Sequence, residues 1–345
     1  MGERVYLDWN ATAPVRPEAR AAVVAALDVV GNPSSVHNEG RAAKGLVERA
    51  RAQVADALGA AGSDVVFVSG ATEAAALAMA HRGLASAPVE HEAVAAWGDG
   101  TLGVDRQGRV EVNEPGSSAM QLANSETGVV QDLPAGLAVS DMTQAFGKMA
   151  VAFDWSGVEI GLVSAHKLGG PKGIGALVIR RGLDVATQIK GGGQEMGRRS
   201  GTENVPGIAG FGAAAEAAAQ DLEAGVWERV AQLRTFLEIS LEGEDGPTIL
   251  VGKGPKRLPN TSCLITPRWK GETQVMALDL AGFAVSAGSA CSSGKVRESA
   301  VLRAMGYGPG EADCAIRVSL GPSVTMEQVE RFVETFLRLR NRRRS

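Results

Sequence analysis

The stretch SAHKLGGPKG, residues 164–173, decides how the rest of the chain is read. Lys167 directly follows an apolar run, LVSAHK (162–167), and a Gly-Gly-Pro turn signal comes two residues later. IGALVIRRG (174–182) then reads as a second apolar strand. A lysine so placed sits at a strand's carboxyl end, where open α/β sheets bind ligands. Outward from there, VVFVSG (65–70) reads as a short buried strand ending in a turn, and EAAALAMAHRGL (73–84) as a helix. LAVSDMTQAFG (137–147) has the same strand shape, with polar residues at its carboxyl end. Strands alternating with Ala-rich helical stretches imply an α/β fold with a mostly parallel sheet flanked by helices. From Gly207 to about Glu242 nearly every residue is a helix former, a length able to carry the chain from one domain to the next. Beyond it come a strand near CLIT (263–266), a helix around ETQVMALDLAG (272–282), a strand FAVSAG (283–288), a glycine/serine loop and a closing helix from Met326. The basic tail RLRNRRRS (338–345) reads as a solvated, frayed end.

Bulk properties narrow the function classes. At 345 residues the chain favours roughly two domains and buries a sizeable core. A net charge of -4 and a pI near 5.7 give no global basic field of the kind that nucleic acid or a membrane surface would demand. The start, MGERVYLDWN, has no apolar signal core, and no unbroken apolar run spans a bilayer, so a soluble cytoplasmic protein is expected. Three cysteines without a CxxC pair (Cys263, Cys291, Cys314) argue against a disulfide framework and a cysteine zinc site. The four histidines are far apart in sequence, and no metal site is expected.

A lysine amine at a strand end forms a Schiff base with an aldehyde cofactor when its surroundings lower its pKa. Pyridoxal phosphate needs three further things: a carboxylate on the ring nitrogen, a phosphate cradle and something flat against the ring. Asp141 ends a strand upstream of Lys167, and Gln144, three residues on, is placed to reach the ring hydroxyl. SGATE (69–73) lies between strand and helix, where backbone N–H groups, the Thr72 hydroxyl and the helix's positive end suit a phosphate. It reads equally well as a plain helix start capped by Thr72. His91, in VEHEAV, is a candidate to stack on the ring. A second centre is SAGSACSSG (286–294): a cysteine among glycines and serines lies on an accessible loop, where a thiolate is nucleophilic. Cys263 and Cys314, in apolar runs, read as buried. Arg317, in AIRVSLG, is either a bidentate partner for a substrate carboxylate or half of a structural ion pair, and sequence does not choose.

In this order the motifs resemble those of the cysteine desulfurases, class V aminotransferases of fold type I among pyridoxal-phosphate enzymes. The resemblance runs from YLDWNATAPV (6–15) to SLGPSVT (319–325). It includes GNPSSVHNEGR (31–41), SGATE, EHEAV (90–94), NSETGVVQ (124–131), the Asp141–Gln144 pair, SAHKLGGPKGIGAL, GGGQEMGRRSGTEN (191–204), LPNTSC (258–263) and the cysteine loop. It implies a large cofactor-binding domain, 15–226, and a smaller α+β domain, 227–345 with 1–14, carrying Cys291. Lys167 would hold the cofactor and move protons, Asp141 would pair the ring nitrogen, Gln144 the ring hydroxyl, and His91 would stack on the ring. Ala71, Thr72, Ser164 and His166 would hold the phosphate, with Thr202 reaching in from the second subunit of an obligate homodimer. Asn124 and Arg317 would grip the carboxylate of L-cysteine, with Asn10 nearby. Cys291 would take the sulfur as a persulfide and pass it to an iron–sulfur scaffold or a thiolation protein.

The chain departs from the family's pattern at Met142, Ser125, Glu298 and Ala300, and the span between His91 and Asn124 is short. An aminotransferase or selenocysteine lyase of the same superfamily, or a non-catalytic scaffold, shares part of this pattern. An aminotransferase has no need of Cys291, and a scaffold has no chemical need of Lys167, Asp141, Arg317 and Cys291 together.

Overall fold

The computed structural model describes residues 3–242, 248–288 and 298–342. The quoted stretch joins two antiparallel neighbours, the strands Ile160–Ser164 and Gly175–Arg180, in register at Leu162 and Leu177. They lie within a six-stranded sheet ordered Ser63–Val68, Gly175–Arg180, Ile160–Ser164, Val139–Asp141, Ser118–Ala119, Ala85–Ser86. Gly175–Arg180 runs antiparallel to both neighbours, and the other strands run parallel to one another.

The apolar runs are continuous because both sheet faces are covered, and the strand's two-residue period splits them. Val65, Phe67, Val163, Ala176 and Val178 join a core under the helices Asn38–Leu58 and Val205–Glu223. Their alternates Val66, Val68, Leu162, Leu177 and Ile179 pack on the other face with Leu77 and Met79 of the helix Ala71–Met79. Met142, the bulky departure after Asp141, is fully buried in the first core. It fits there because Gly161 has no side chain: a Cβ at Gly161 would lie 2.9 Å from Phe153 and 3.4 Å from the Met142 sulfur.

Three sequence expectations change. The helical stretch from 207 to 242 is two helices, Val205–Glu223 and Val226–Leu241, because Gly225 adopts a left-handed φ of 69° and turns the chain. FAVSAG is two strands in two sheets. Phe283–Ala284 pairs in parallel with Val5–Tyr6, and Ser286–Ala287 pairs antiparallel with Ala315–Ser319. The latter belongs to a four-stranded sheet with Thr261–Ile265 and Ile249–Leu250. Val5, Leu7, Trp227, Leu237, Phe283, Phe332 and Phe336 share a separate hydrophobic cluster, so the amino terminus packs with the carboxyl-terminal third. The closing helix is Met326–Arg342, and Arg340 in the expected frayed tail is instead buried, donating to Thr248. No helix among the described residues is long and apolar enough to cross a membrane.

Gly175 is where the sheet meets the turn after Ser63–Val68: an added Cβ would sit 2.6 Å from the Val163 carbonyl oxygen and 2.8 Å from Gly70 Cα. Gly175→Ala should destabilise the cofactor-free protein by about 1–3 kcal/mol. A fall in the urea unfolding midpoint is the expected reading, and an unchanged midpoint would show that the contact relaxes freely.

Candidate active site

The parallel strands of the large sheet release their carboxyl ends into one cleft of about 830 Å3. Ser69 and Gly70 follow Ser63–Val68, Gln121 follows Ser118–Ala119, and Thr143 and Gln144 follow Val139–Asp141, whose last residue also faces the cleft. Ser164 ends Ile160–Ser164, with His166 and Lys167 in the short 3-10 turn after it. Ala71, Thr72, His91, Trp97 and Lys172 complete the wall with Ala11 and Thr12 of the amino-terminal segment.

Lys167 Nζ donates to the carbonyls of Asn10 (2.7 Å) and Ala11 (2.9 Å), which aims the amine from the sheet toward the amino-terminal segment. Asp141 accepts from the Thr143 N–H at 2.9 Å through Oδ1. His91 caps the four-residue helix Glu92–Ala95, its Nδ1 accepting from the Ala93 N–H at 3.1 Å, which fixes the ring at the cleft wall. The helix Ala71–Met79 starts one residue before Thr72, after Gly70, and no side chain caps it. Thr72 is therefore not the capping residue, and the helix's first N–H groups face the cleft together with the hydroxyl-bearing residues Ser69, Thr72 and Ser164.

Cations gather around the same point. Lys167 and Lys172 line the cleft, and Lys148 is fully buried beneath it. Burial, reinforced by Lys167, Lys172, Lys148 and His91, pushes the His166 pKa down to about 4, so its imidazole is neutral at physiological pH. Its Nδ1 lies 3.2 Å from the Thr12 hydroxyl. Glu90, next to His91, is pushed well above the usual carboxylate range by burial and then by Asp141. The donor set fits pyridoxal phosphate. It offers an amine, an ionisable carboxylate on the facing strand, an imidazole at the wall, and a helix N-terminus with hydroxyls and a neutral histidine for a phosphate.

Other expected site residues lie behind the wall. Asn124 is buried: Nδ2 donates to the Val89 carbonyl, and Oδ1 accepts from the N–H groups of Glu126 and Thr127. Arg317, 5% exposed, pairs with Asp8 at 2.8 Å and donates to the carbonyl of Ser125, which does line the cleft. Asn10, 1% exposed, spends both side-chain donors on Ser125 and Thr261 and its side-chain oxygen on Lys148 and Asn260. Thr202 does not line its own chain's cleft; it is exposed in a neighbouring hollow of about 230 Å3 with Ser69 and Asn204. Cys291 lies outside the described residues, while Cys263 and Cys314 are buried thiols.

Contributors not singled out in the sequence include Lys148, Lys172, Glu90 and Trp97. Lys148 carried a signal, a lone lysine in the apolar stretch QAFGKMA four residues after Gln144, while Glu90 and Lys172 lie within quoted motifs. The GGGQE…RRSGTEN motif acts on the cleft from outside. Glu195 accepts from the Phe67 N–H and pairs with Arg51, and Arg199 holds Glu73, whose carboxylate accepts from the Ser69 N–H. The remaining departures are absorbed locally: Glu298 pairs with Arg303, and Ala300 opens the helix Ala300–Ala304.

This fold and donor set define a pyridoxal-phosphate enzyme, and the aminotransferase class-V family profile matches residues 5–96 and 114–332, so the chain belongs to that pyridoxal-phosphate-dependent family. Within it, a cysteine desulfurase of Cereibacter sphaeroides is 38% identical over 370 aligned positions, covering 96% of this chain and 94% of that protein. Cysteine desulfurase IscS of Dictyoglomus turgidum is 34% identical, covering 98% and 95% respectively. A NifS-like protein from Rickettsia africae superposes with a TM-score of 0.89 at 30% identity, covering 98% of this chain and 100% of that one. The profile skips residues 97–113, which lie within the short span between His91 and Asn124, and Trp97 on the cleft wall is the first residue skipped.

One carboxylate behind the wall has a testable titration. Burial raises the Glu126 pKa to about 7, the Ser299 hydroxyl and Arg317 offsetting only part of that effect. The folded chain therefore keeps a proton that the unfolded chain, titrating near 4.5, has released. Glu126's contribution to stability is complete below pH 4.5 and is lost as pH rises through 7. The stability difference between Glu126→Gln and the parent should shift in the variant's favour by roughly 3 kcal/mol from pH 4.5 to 8. Denaturant melts across that range test it, and a pH-independent difference would refute it.

Proposed function

We propose that the chain is a pyridoxal-phosphate-dependent cysteine desulfurase, converting L-cysteine to L-alanine while its sulfur passes to Cys291. The observation that carries the reading is Lys167 facing a cation-rich cleft walled by Asp141, His91 and an open helix N-terminus. Relatives of that activity that align over nearly the whole chain support it. When bound, the cofactor withdraws electron density from the substrate's α-carbon.

The chain's own groups then have separable tasks. The Lys167 amine would hold the cofactor and move protons at the substrate carbons. Asp141 would address the ring nitrogen, Gln144 the ring oxygen, and His91 the ring itself. Ala71, Thr72, Ser164 and His166 would hold the phosphate. Arg317 and Asn124 are assigned to the substrate carboxylate, Arg317 from behind the wall, where it donates to the carbonyl of cleft-lining Ser125. The Cys291 thiolate attacks the substrate sulfur: the carbon–sulfur bond breaks, a sulfur–sulfur bond forms, and the carbon left behind gains a proton to give alanine. Ser286–Ala287, shortly before Cys291 in sequence, pairs with the strand that carries Arg317.

The exposure of Thr202, away from its own cleft, supports a homodimer in which it serves the partner's phosphate site. The separate cluster of residues 5–7 with the segment after 227 supports a large domain at 15–226 and a small one at 227–345 with 1–14. The persulfide would be handed to an iron–sulfur scaffold or thiolation protein, in the cytoplasm. Cys291→Ala should retain the cofactor's visible absorbance and lose alanine formation from cysteine by at least about a hundredfold. Lys167→Ala should lose both. Alanine production at the parent rate by the Cys291 variant would reject the desulfurase mechanism.

A further inference from the structure

Lys148 is the most deeply buried charged side chain near the cleft, 1% exposed, and nothing above gives it a task. It sits after Gly147 in the consecutive turns that follow Asp141. Its Nζ donates to Gln144 Oε1 at 2.7 Å and to Asn10 Oδ1 at 2.9 Å. Among the described residues no carboxylate pairs with it, and the charges that bear on it, Lys167 and Arg317, are positive like its own. Burial and those two neighbours hold its pKa well below the usual lysine value. Its Nζ therefore has two acceptors, Gln144 and Asn10, and no counterion among the described residues.

Gln144 is gripped at both ends. Its carbonyl oxygen receives Lys148, and its Nε2 donates to the Asn10 carbonyl at 3.0 Å. A carbonyl oxygen cannot donate, so the Asn10 contact requires the nitrogen end of the amide, and the Lys148 donor requires the oxygen end. The two contacts enforce the same orientation. One N–H of Gln144 then remains, and Gln144 lines the cleft.

We propose that Lys148 is a positioning residue: by donating to Gln144 Oε1 it fixes the side-chain amide so that an N–H, not the carbonyl oxygen, is offered to the cleft. Toward the cofactor, this makes Gln144 a donor to the ring oxygen and favours that oxygen's ionised form. The proposal rests on the assignment of Gln144 to the ring oxygen. It differs from a volume-filling role, which a methionine would satisfy, and from a through-space charge effect, which any neutral residue would abolish.

The test is a pH titration of the visible absorbance of the cofactor-loaded protein, with cofactor retention measured alongside. Lys148→Met, similar in length but unable to donate, should raise the titration midpoint by about one pH unit, roughly tenfold in the ionisation equilibrium. Gln144→Ala should move it the same way. Lys148→Gln, neutral but carrying an N–H donor, should stay near the parent midpoint. If Gln144→Ala shifts the midpoint and Lys148→Met does not, the positioning role is refuted. Equal shifts in Lys148→Met and Lys148→Gln would assign the effect to charge and overturn the proposal. An unmoved midpoint in Gln144→Ala would withdraw the ring-oxygen assignment, and the proposal with it. Should Lys148→Met fail to fold, NMR of the parent cofactor-free protein decides. One Gln144 Nε2 proton, bonded to Asn10, should exchange slowly and the other rapidly; two slowly exchanging protons would refute it.

Discussion

Seven hydrogen bonds converge on Asn10, and the cleft depends on them. Its backbone carbonyl accepts from Lys167 and Gln144, and its N–H donates to Ser319. Its side chain joins Lys148, Asn260, Thr261 and the Ser125 carbonyl. Three distant parts of the chain meet there: the amino-terminal segment, the strand ends of the large sheet and the strands of the smaller one. A buried polar junction of this kind is stable only when every member is satisfied, and satisfying all of them leaves little freedom in how the two sheets sit around the cleft.

Charge is the second constraint. Lys167 is kept near other basic side chains: Lys148 below, Lys172 across the wall and Arg317 behind. Burial first, and then the neighbouring Lys167, Lys172, Lys148 and His91, lowers the His166 pKa. Burial raises the Glu90 pKa well above the usual carboxylate range, and Asp8 is paired with Arg317. An anionic phosphate at the N-terminus of Ala71–Met79 would complement the basic Lys167 and Lys172 at the cleft.

Much of the fold was legible because the strands are short apolar runs bounded by glycine and polar turns, and the lysine motif sits at the end of one. The split at Gly225 was less so, since a single left-handed glycine in a run of helix formers carries little signal. The division of FAVSAG between two sheets was not legible at all. Its partners, Val5–Tyr6 and Ala315–Ser319, lie far away in sequence, and nothing local distinguishes residue 284 from 286. The departure at Met142, unusual as sequence, proved an ordinary core residue opposite a glycine.

The sequence by itself determined the chemistry on offer: an amine at a strand end, a carboxylate and an amide three residues apart on another, a glycine-flanked helix start and a cysteine among small residues. Those follow from local chemistry and the two-residue period of a strand, which the order of residues contains. Only the tertiary structure decided which polar groups face the cleft and which hold the wall from behind. Asn10, Asn124 and Arg317 turned out to be committed to partners within the protein, and Lys148 emerged as a buried neighbour of Gln144. Burial and hydrogen-bond satisfaction are properties of everything packed around a group, so they exist only once distant segments have met.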